Sequence, residues 1–266
     1  MSDVLTVVLD DLATESARLD SLVADLPDAA WRLPTPAPGW DIATQIAHLA
    51  WTDEAARTAA TDKQGWDALV LEALADPEHS VDRAALTGGI AAPPVVLDRW
   101  RTARARLAET LRTYPPGARI PWYGPPMSAA SMATSRFMET WAHSLDVHAA
   151  LEVEPEITDR IRHVAHLGVR TRDWAFSVHG TAPPKEEFRI DLAAPSGDLW
   201  AWGPEDAAQT VTGPAYDFCL LVTQRAHRDD TGLVATGPDA DRWLDIAQAF
   251  AGPPGEGRRP AGGLRG

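Results

Sequence analysis

The sequence predicts an α+β protein: a four-helix bundle over the first 153 residues, followed by a small α+β domain. Three observations predict this. Long runs nearly free of Pro and Gly carry apolar residues at helical spacing up to about residue 153. Further on the period changes, with Phe188, Ile190 and Leu192 alternating with Arg189 and Asp191 as in a half-buried strand. The 266 residues, 45% hydrophobic and 23% charged, supply ample core for a bundle and a second small unit. The boundaries read as 1–153 for the bundle, 154–252 for the α+β domain, and 253–266 for a Gly-, Pro- and Arg-rich tail expected to be disordered.

In chain order, Val4, Val7, Val8, Leu12, Leu19, Leu22 and Leu26 form the stripe of a first helix over residues 3–26, closed by Pro27. Residues 31–40, with Pro34, Pro36, Pro38 and Gly39, form a turn-rich loop. Asp41 caps a second helix running to about Thr61, with Ile42, Ile46, Leu49 and Ala50 inward. A short helix covers 66–75, and residues 76–94 read as a connector. A third long helix spans 95–114, with Trp100, Ala103, Leu107 and Leu111 inward and Arg99, Arg101, Arg104, Arg106 and Arg112 solvated. An aromatic loop with Trp122 and Tyr123 leads into a fourth, over 128–153. The second half predicts a helix over 159–178, strands at 188–192, 199–203 and 209–212, a helix over 215–227, a short apolar segment at 233–235, and a last helix over 239–250.

Composition excludes several classes of function. A net charge of −14 argues against a nucleic-acid footprint and against an anionic membrane surface. No apolar run approaches the roughly 18 residues of a membrane span, and the first residues lack the pattern of a signal peptide. Cys219, the single cysteine, allows neither a disulfide framework nor a cysteine-based zinc site, which fits a reducing cytoplasm; within Phe218-Cys219-Leu220-Leu221 it reads as a core thiol.

Glu139 and His143 are four apart in the fourth helix, so a carboxylate oxygen and an imidazole nitrogen can converge on one point. Such pairs also occur as solvated partners on ordinary helices. Here Met138, Trp141, Ala142 and Leu145 flank them, and a buried, unpaired Glu would be costly. An open catalytic metal site needs three protein ligands. His48, within Ile46-Ala47-His48-Leu49-Ala50-Trp51, is the candidate third. Bundles build such sites from facing helices. By ligand type the metal would be Zn²⁺, although Ni²⁺, Fe²⁺ or Mn²⁺ also suit two nitrogens and an oxygen. Arg136, one turn before Glu139, could pair with a ligand carboxylate or receive an acidic substrate. Asp146 is a candidate partner for a ligand histidine, and Trp51, Trp122 and Tyr123 are candidate pocket walls.

Pro38-Gly39-Trp40-Asp41-Ile42 followed by Gln45-Ile46-Ala47-His48-Leu49 resembles the signature of the DinB/YfiT-like metalloprotein superfamily. Glu139-x-x-x-His143 followed by Asp146 resembles its actinobacterial branch of mycothiol-dependent maleylpyruvate isomerases, where most other members of the superfamily carry a second His in place of Glu139. Phe188-Arg189-Ile190-Asp191-Leu192, Trp200-x-Trp202-Gly203 and Gly213-Pro214-Ala215-Tyr216-Asp217-Phe218 stand where that branch carries a small sterol-carrier-like domain. The resemblance implies a DinB-like bundle with His48, Glu139 and His143 as metal ligands, mycothiol as thiol cosubstrate, a small-molecule substrate, and Arg225 as a contact to a substrate anion. It implies an isomerase or thiol S-transferase, in a monomer or homodimer. Water in place of the thiol would make the same triad a hydrolase, and a third alternative is a metal- or small-molecule-binding protein without turnover.

Overall fold

A computed structural model describes residues 3–252, 254, 255 and 257–261. The chain divides into two compact units, Met1–Pro155 and Glu156–Gly266.

The first unit is helical, with α1 (Val4–Val23), α2 (Ile42–Thr61), α3 (Lys63–Ala75), α4 (Ser80–Gly89), α5 (Pro93–Thr113) and α6 (Ala129–Leu151). Asp41 caps α2 by accepting from the Thr44 amide at 2.8 Å, and Ser128 caps α6 through the Ser131 amide at 3.1 Å. The segment 76–94, expected to be a connector, instead contains α4. Gly88-Gly89 reads as a helix stop, yet both glycines serve close packing. A Cβ at Gly89 would lie 3.0 Å from Thr44 Oγ1, and one at Gly88 would lie 3.1 Å from Ala47 Cβ. Small residues let α4 lie directly on α2.

Two apolar clusters occupy the bundle interior. One gathers Leu19, Val23, Trp31, Ile42, Ile46, Leu49, Val96, Leu97, Trp100 and Val147; the other gathers Val8, Leu9, Ala56, Trp66, Leu107, Leu111, Ile120 and Met132. Each fully buried Leu, Ile or Val contributes about 1.5–3 kcal/mol. Between the clusters along α2 and α6 lies a polar layer with buried Gln45, His48, Thr52, Asp53, Arg136, Thr140 and Asp146.

Three α5 arginines expected to be solvated are ion-paired. Arg99 grips Glu54 through Nε and Nη2 at 2.9 and 2.6 Å, and Arg101 grips Asp20 in the same way at 2.8 and 2.6 Å. Arg104 reaches Asp20 at 2.6 Å with its guanidinium over the Trp100 ring.

The second unit holds α7 (Arg162–Arg170), α8 (Arg172–Val178), β1 (Arg189–Ala193), β2 (Leu199–Trp202), β3 (Thr210–Pro214), α9 (Ala215–Val222), β4 (Val234–Thr236) and α10 (Pro238–Ile246). The sheet order is β2-β1-β3-β4; β1 pairs antiparallel with β2 and parallel with β3, and β4 is antiparallel to β3. Gly203, at φ +81°, makes the exit from β2, where a Cβ would fall 2.0 Å from the Phe188 carbonyl oxygen. The helix expected over 159–178 breaks at Thr171, whose hydroxyl lies 2.7 Å from the Gln248 carbonyl oxygen. The last two helices also stop short of their expected ends. Gln224, at φ +57°, turns the chain after α9, and beyond α10 the Ala249 amide donates to the Val222 carbonyl at 2.8 Å. Phe176, Phe188, Ile190, Leu192, Val211, Phe218 and Trp243 fill this core. Part of the tail expected to be disordered lies outside the described residues; within the described part, Pro254 accepts from Gln224 Nε2 at 2.6 Å.

Hydrogen bonds from Arg101, aided by the charges of both arginines, outweigh burial and hold the Asp20 carboxyl below the ordinary aspartate value. Burial lowers the Arg104 guanidinium as well, against the pull of Asp20, but a guanidinium stays charged at any working pH, so Asp20 sets the pH dependence. Asp20→Ala is expected to cost about 1 kcal/mol at neutral pH, discounted for solvent screening. With a depressed folded-state pKa, this difference is full above the ordinary aspartate pKa and vanishes as pH falls through the depressed value. Urea unfolding of parent and variant at several pH values measures it.

Candidate metal centre

The polar layer is built by α2 and α6 running antiparallel. Along α2, Gln45, His48 and Asp53 meet His143, Glu139 and Arg136 in descending order along α6. Glu139 and His143 are adjacent through the helical turn, and His48 faces them from α2. Glu139 Oε2 lies 3.3 Å from His48 Nε2 and 3.3 Å from His143 Nε2. One ligand-capable atom from each residue lies within 4.8 Å of the others.

This donor set fits a divalent metal. Two donors about 2.0–2.1 Å from a tetrahedral zinc stand roughly 3.3–3.4 Å apart, which is the spacing of Glu139 to each histidine. The side chains of His48, His143 and Glu139 are 8%, 12% and 19% exposed, so the site is sheltered but open on the carboxylate side. Burial pushes the Glu139 carboxyl up. Hydrogen bonding to His143 and His48 and the Arg136 charge outweigh burial, and hold it well below the usual carboxylate range. An ionised carboxylate between two imidazoles is a ready cation ligand.

Two tryptophans flank the cluster. Trp40 stacks on His143 with centroids 5.9 Å apart and lies 5.2 Å from the His48 ring. Its indole N–H donates to Asp82 on α4 at 3.1 Å. Trp51 lies 6.1 Å from His48. Beyond Trp40 opens a cavity of about 380 Å³ with Arg32, Thr35, Leu86 and Ile90 in its lining. Trp51 lines another of about 480 Å³ with Glu72, Arg83, Thr87 and Arg99. Neither cavity is lined by the triad itself.

The structure gives the other candidates surroundings of their own. Trp122 and Tyr123, expected as pocket walls, pack on Trp66 at 5.7 and 4.8 Å and belong to the second apolar cluster. They precede the start of α6, and ten residues of helix, about 15 Å, separate its first residue from Glu139. Arg136, considered as a receiver of substrate, is 1% exposed; its Nε donates to Asp53 at 2.8 Å and its Nη2 to Thr52 at 2.6 Å. It acts on Glu139 through its charge. Asp146 meets Gln45 Nε2 at 3.5 Å, and Gln45 Oε1 in turn meets His143 Nδ1, so Gln45 stands between Asp146 and the ligand histidine. Arg225 belongs to the second unit, where Nη1 donates to the Thr223 carbonyl at 2.7 Å. Burial pushes the Cys219 thiol well up, as befits a core residue.

Sequence reading missed Trp40 and Gln45 as site residues. The signal for Gln45 was present: a polar residue one turn before His48 within an apolar run needs a buried partner.

Burial pushes the Asp53 carboxyl up more strongly than Arg136 pulls it down. Removing either partner strands the other. Arg136→Met is expected to destabilise the protein by about 3–5 kcal/mol, while Arg136→Met combined with Asp53→Leu recovers most of the loss. Denaturant titration of the single and double variants checks this.

Comparison with known proteins agrees with this architecture. The profile of the mycothiol maleylpyruvate isomerase N-terminal domain matches residues 12–148, and that of wyosine base formation matches residues 184–236. Two uncharacterized proteins of Mycobacterium tuberculosis, from strains CDC 1551 / Oshkosh and ATCC 25618 / H37Rv, are each 57% identical over 248 residues, covering 93% of this chain and 96% of theirs. The crystal structure of the mycothiol-dependent maleylpyruvate isomerase shares the fold with a TM-score of 0.59 at 15% identity, covering 90% of this chain and 98% of that one. A histidine-to-alanine mutant of that enzyme matches with the same TM-score at 16% identity. Among the described residues no helix is long and apolar enough to cross a membrane. With the matched domain spanning just over half of its length, the chain belongs to the mycothiol maleylpyruvate isomerase N-terminal domain family.

Proposed function

We propose that this protein is a metal-dependent, thiol-using enzyme, an isomerase or S-transferase acting on an electrophilic small molecule. The observation that carries the reading is the convergence of His48, Glu139 and His143, with the carboxylate 3.3 Å from each imidazole; membership of a family named for a mycothiol-dependent isomerase supports mycothiol as the thiol. A bound divalent cation supplies a lower pKa for a coordinated thiol, so that the thiolate forms at neutral pH.

His48, Glu139 and His143 would hold the cation. Together they bring one negative charge, which leaves the site net positive and attractive to a thiolate. Hydrogen bonding with His143 and His48, aided by the Arg136 charge, keeps Glu139 ionised. Trp40 and Trp51 wall the site with apolar surface and restrict water. The 480 Å³ cavity beside Trp51 suits a small substrate, within the roughly 300–1,000 Å³ of small-molecule sites. In isomerisation the thiolate sulfur adds to a conjugated double bond and the π pair moves onto the activating carbonyl. Rotation follows about the new single bond, and expulsion of the thiolate restores the double bond. In S-transfer the adduct is protonated and released. The single buried thiol is in keeping with a cytoplasmic setting.

Elemental analysis of purified protein should find close to one metal per chain, lost in His48→Ala and Glu139→Ala. Supplied with mycothiol and an activated alkene, the metal-loaded parent should isomerise the alkene or yield a thiol conjugate visible by mass spectrometry, at least about 100-fold faster than either variant. A metal-loaded protein that only hydrolyses ester or amide substrates would replace this reading with the hydrolase.

A further inference from the structure

We infer that Gln45 is a positioning residue that fixes the tautomer of His143, and that the loop before α2 fixes Gln45. The inference takes its functional meaning from the metal-centre reading, while its geometry stands apart from it.

Gln45 is fully buried, and its amide has a carbonyl end and an NH₂ end that cannot be exchanged freely. The NH₂ end meets two acceptors. Thr35 Oγ1 lies 2.8 Å away and Asp146 Oδ2 3.5 Å away. The hydroxyl proton of Thr35 is directed to the Trp40 carbonyl at 3.1 Å, so its oxygen turns a lone pair toward Gln45. A carboxylate such as Asp146 can only accept. Flipping the amide would set its carbonyl oxygen against both. The carbonyl end must therefore face His143 Nδ1, which it does. An acceptor at Nδ1 requires a hydrogen there, and in the neutral ring this leaves Nε2 bare. Nε2 faces the Glu139 Oε2 acceptor 3.3 Å away: in the doubly protonated ring Nε2–H donates there, and in the neutral ring the Nε2 lone pair and the carboxylate together face a cation bound between them. His48 has no counterpart, since its buried Nδ1 makes no hydrogen bond. The Thr35 amide also donates to the Trp40 carbonyl at 2.9 Å, which ties this acceptor to the backbone of the loop.

The test uses the full chain in four forms: parent, Gln45→Leu, Thr35→Val, and Thr35→Ser, which keeps the hydroxyl. Long-range ¹H–¹⁵N spectra of the metal-free proteins, at a pH where the ring is neutral, read the His143 tautomer. Zinc affinity is read by chelator competition. The Nδ1–H tautomer is expected in the parent and in Thr35→Ser, with a shift toward Nε2–H in Gln45→Leu and, in part, in Thr35→Val. Zinc affinity is expected to fall about 10- to 100-fold in Gln45→Leu, less in Thr35→Val, and to stay at the parental value in Thr35→Ser. An Nε2–H tautomer in the parent, or an unchanged tautomer in Gln45→Leu, would overturn the inference. Failure of the parent to take up any zinc would overturn the metal reading instead, while the tautomer measurement still decides the role of Gln45.

Discussion

A carboxylate buried between two imidazoles is the constraint on which the interior of the bundle depends. Glu139 faces His48 and His143 at equal distances of 3.3 Å in a setting where burial alone would neutralise it. Hydrogen bonding with His143 and His48 keeps it charged, and the Arg136 charge adds to this from the preceding turn. Arg136 is itself buried and requires Asp53 and Thr52 from α2. Each polar group in the layer thus calls for the next, because an unpaired charge in a helix interface costs several kcal/mol.

The same logic explains why α2 and α6 must keep one register. Polar partners at 45, 48 and 53 on one helix meet 143, 139 and 136 on the other, in antiparallel order. A slip by one turn would leave every pair unmet. The apolar clusters at either end tolerate some rearrangement, since apolar contacts are non-directional. The polar layer specifies the pairing, and the apolar clusters supply the stability. Trp40 joins the two roles, stacked on His143 and tied through its indole to Asp82 of α4.

Much of this was legible in the sequence. The helical stripes, the cap at Asp41, the hairpin of β1 and β2, and the convergence of Glu139 with His143 follow from periods and spacings that survive in any context. The helix α4 was not legible, because residues 76–94 read as a connector and the contacts that seat the helix, Gly88 and Gly89 against Ala47 and Thr44, come from α2. Nor was the break at Thr171, where a hydroxyl contact to the Gln248 carbonyl, distant in sequence, competes with helix continuation. Trp122 and Tyr123 looked like pocket walls because aromatic residues in a loop beside a candidate site invite that reading; their partner, Trp66, lies far back in the chain.

The sequence by itself determined the fold class, the positions of the long helices, and the placing of Glu139 and His143 one turn apart, since each is set by local periodicity; the approach of His48 to them came from the packing of α2 on α6. Only the tertiary structure decided which polar residues serve those ligands. Gln45 and Asp146 are 101 positions apart, Gln45 and His143 are 98 apart, and Asp53 and Arg136 are 83 apart. Whether a buried polar group is a liability or a support depends on the atom that meets it, and that atom comes from another helix.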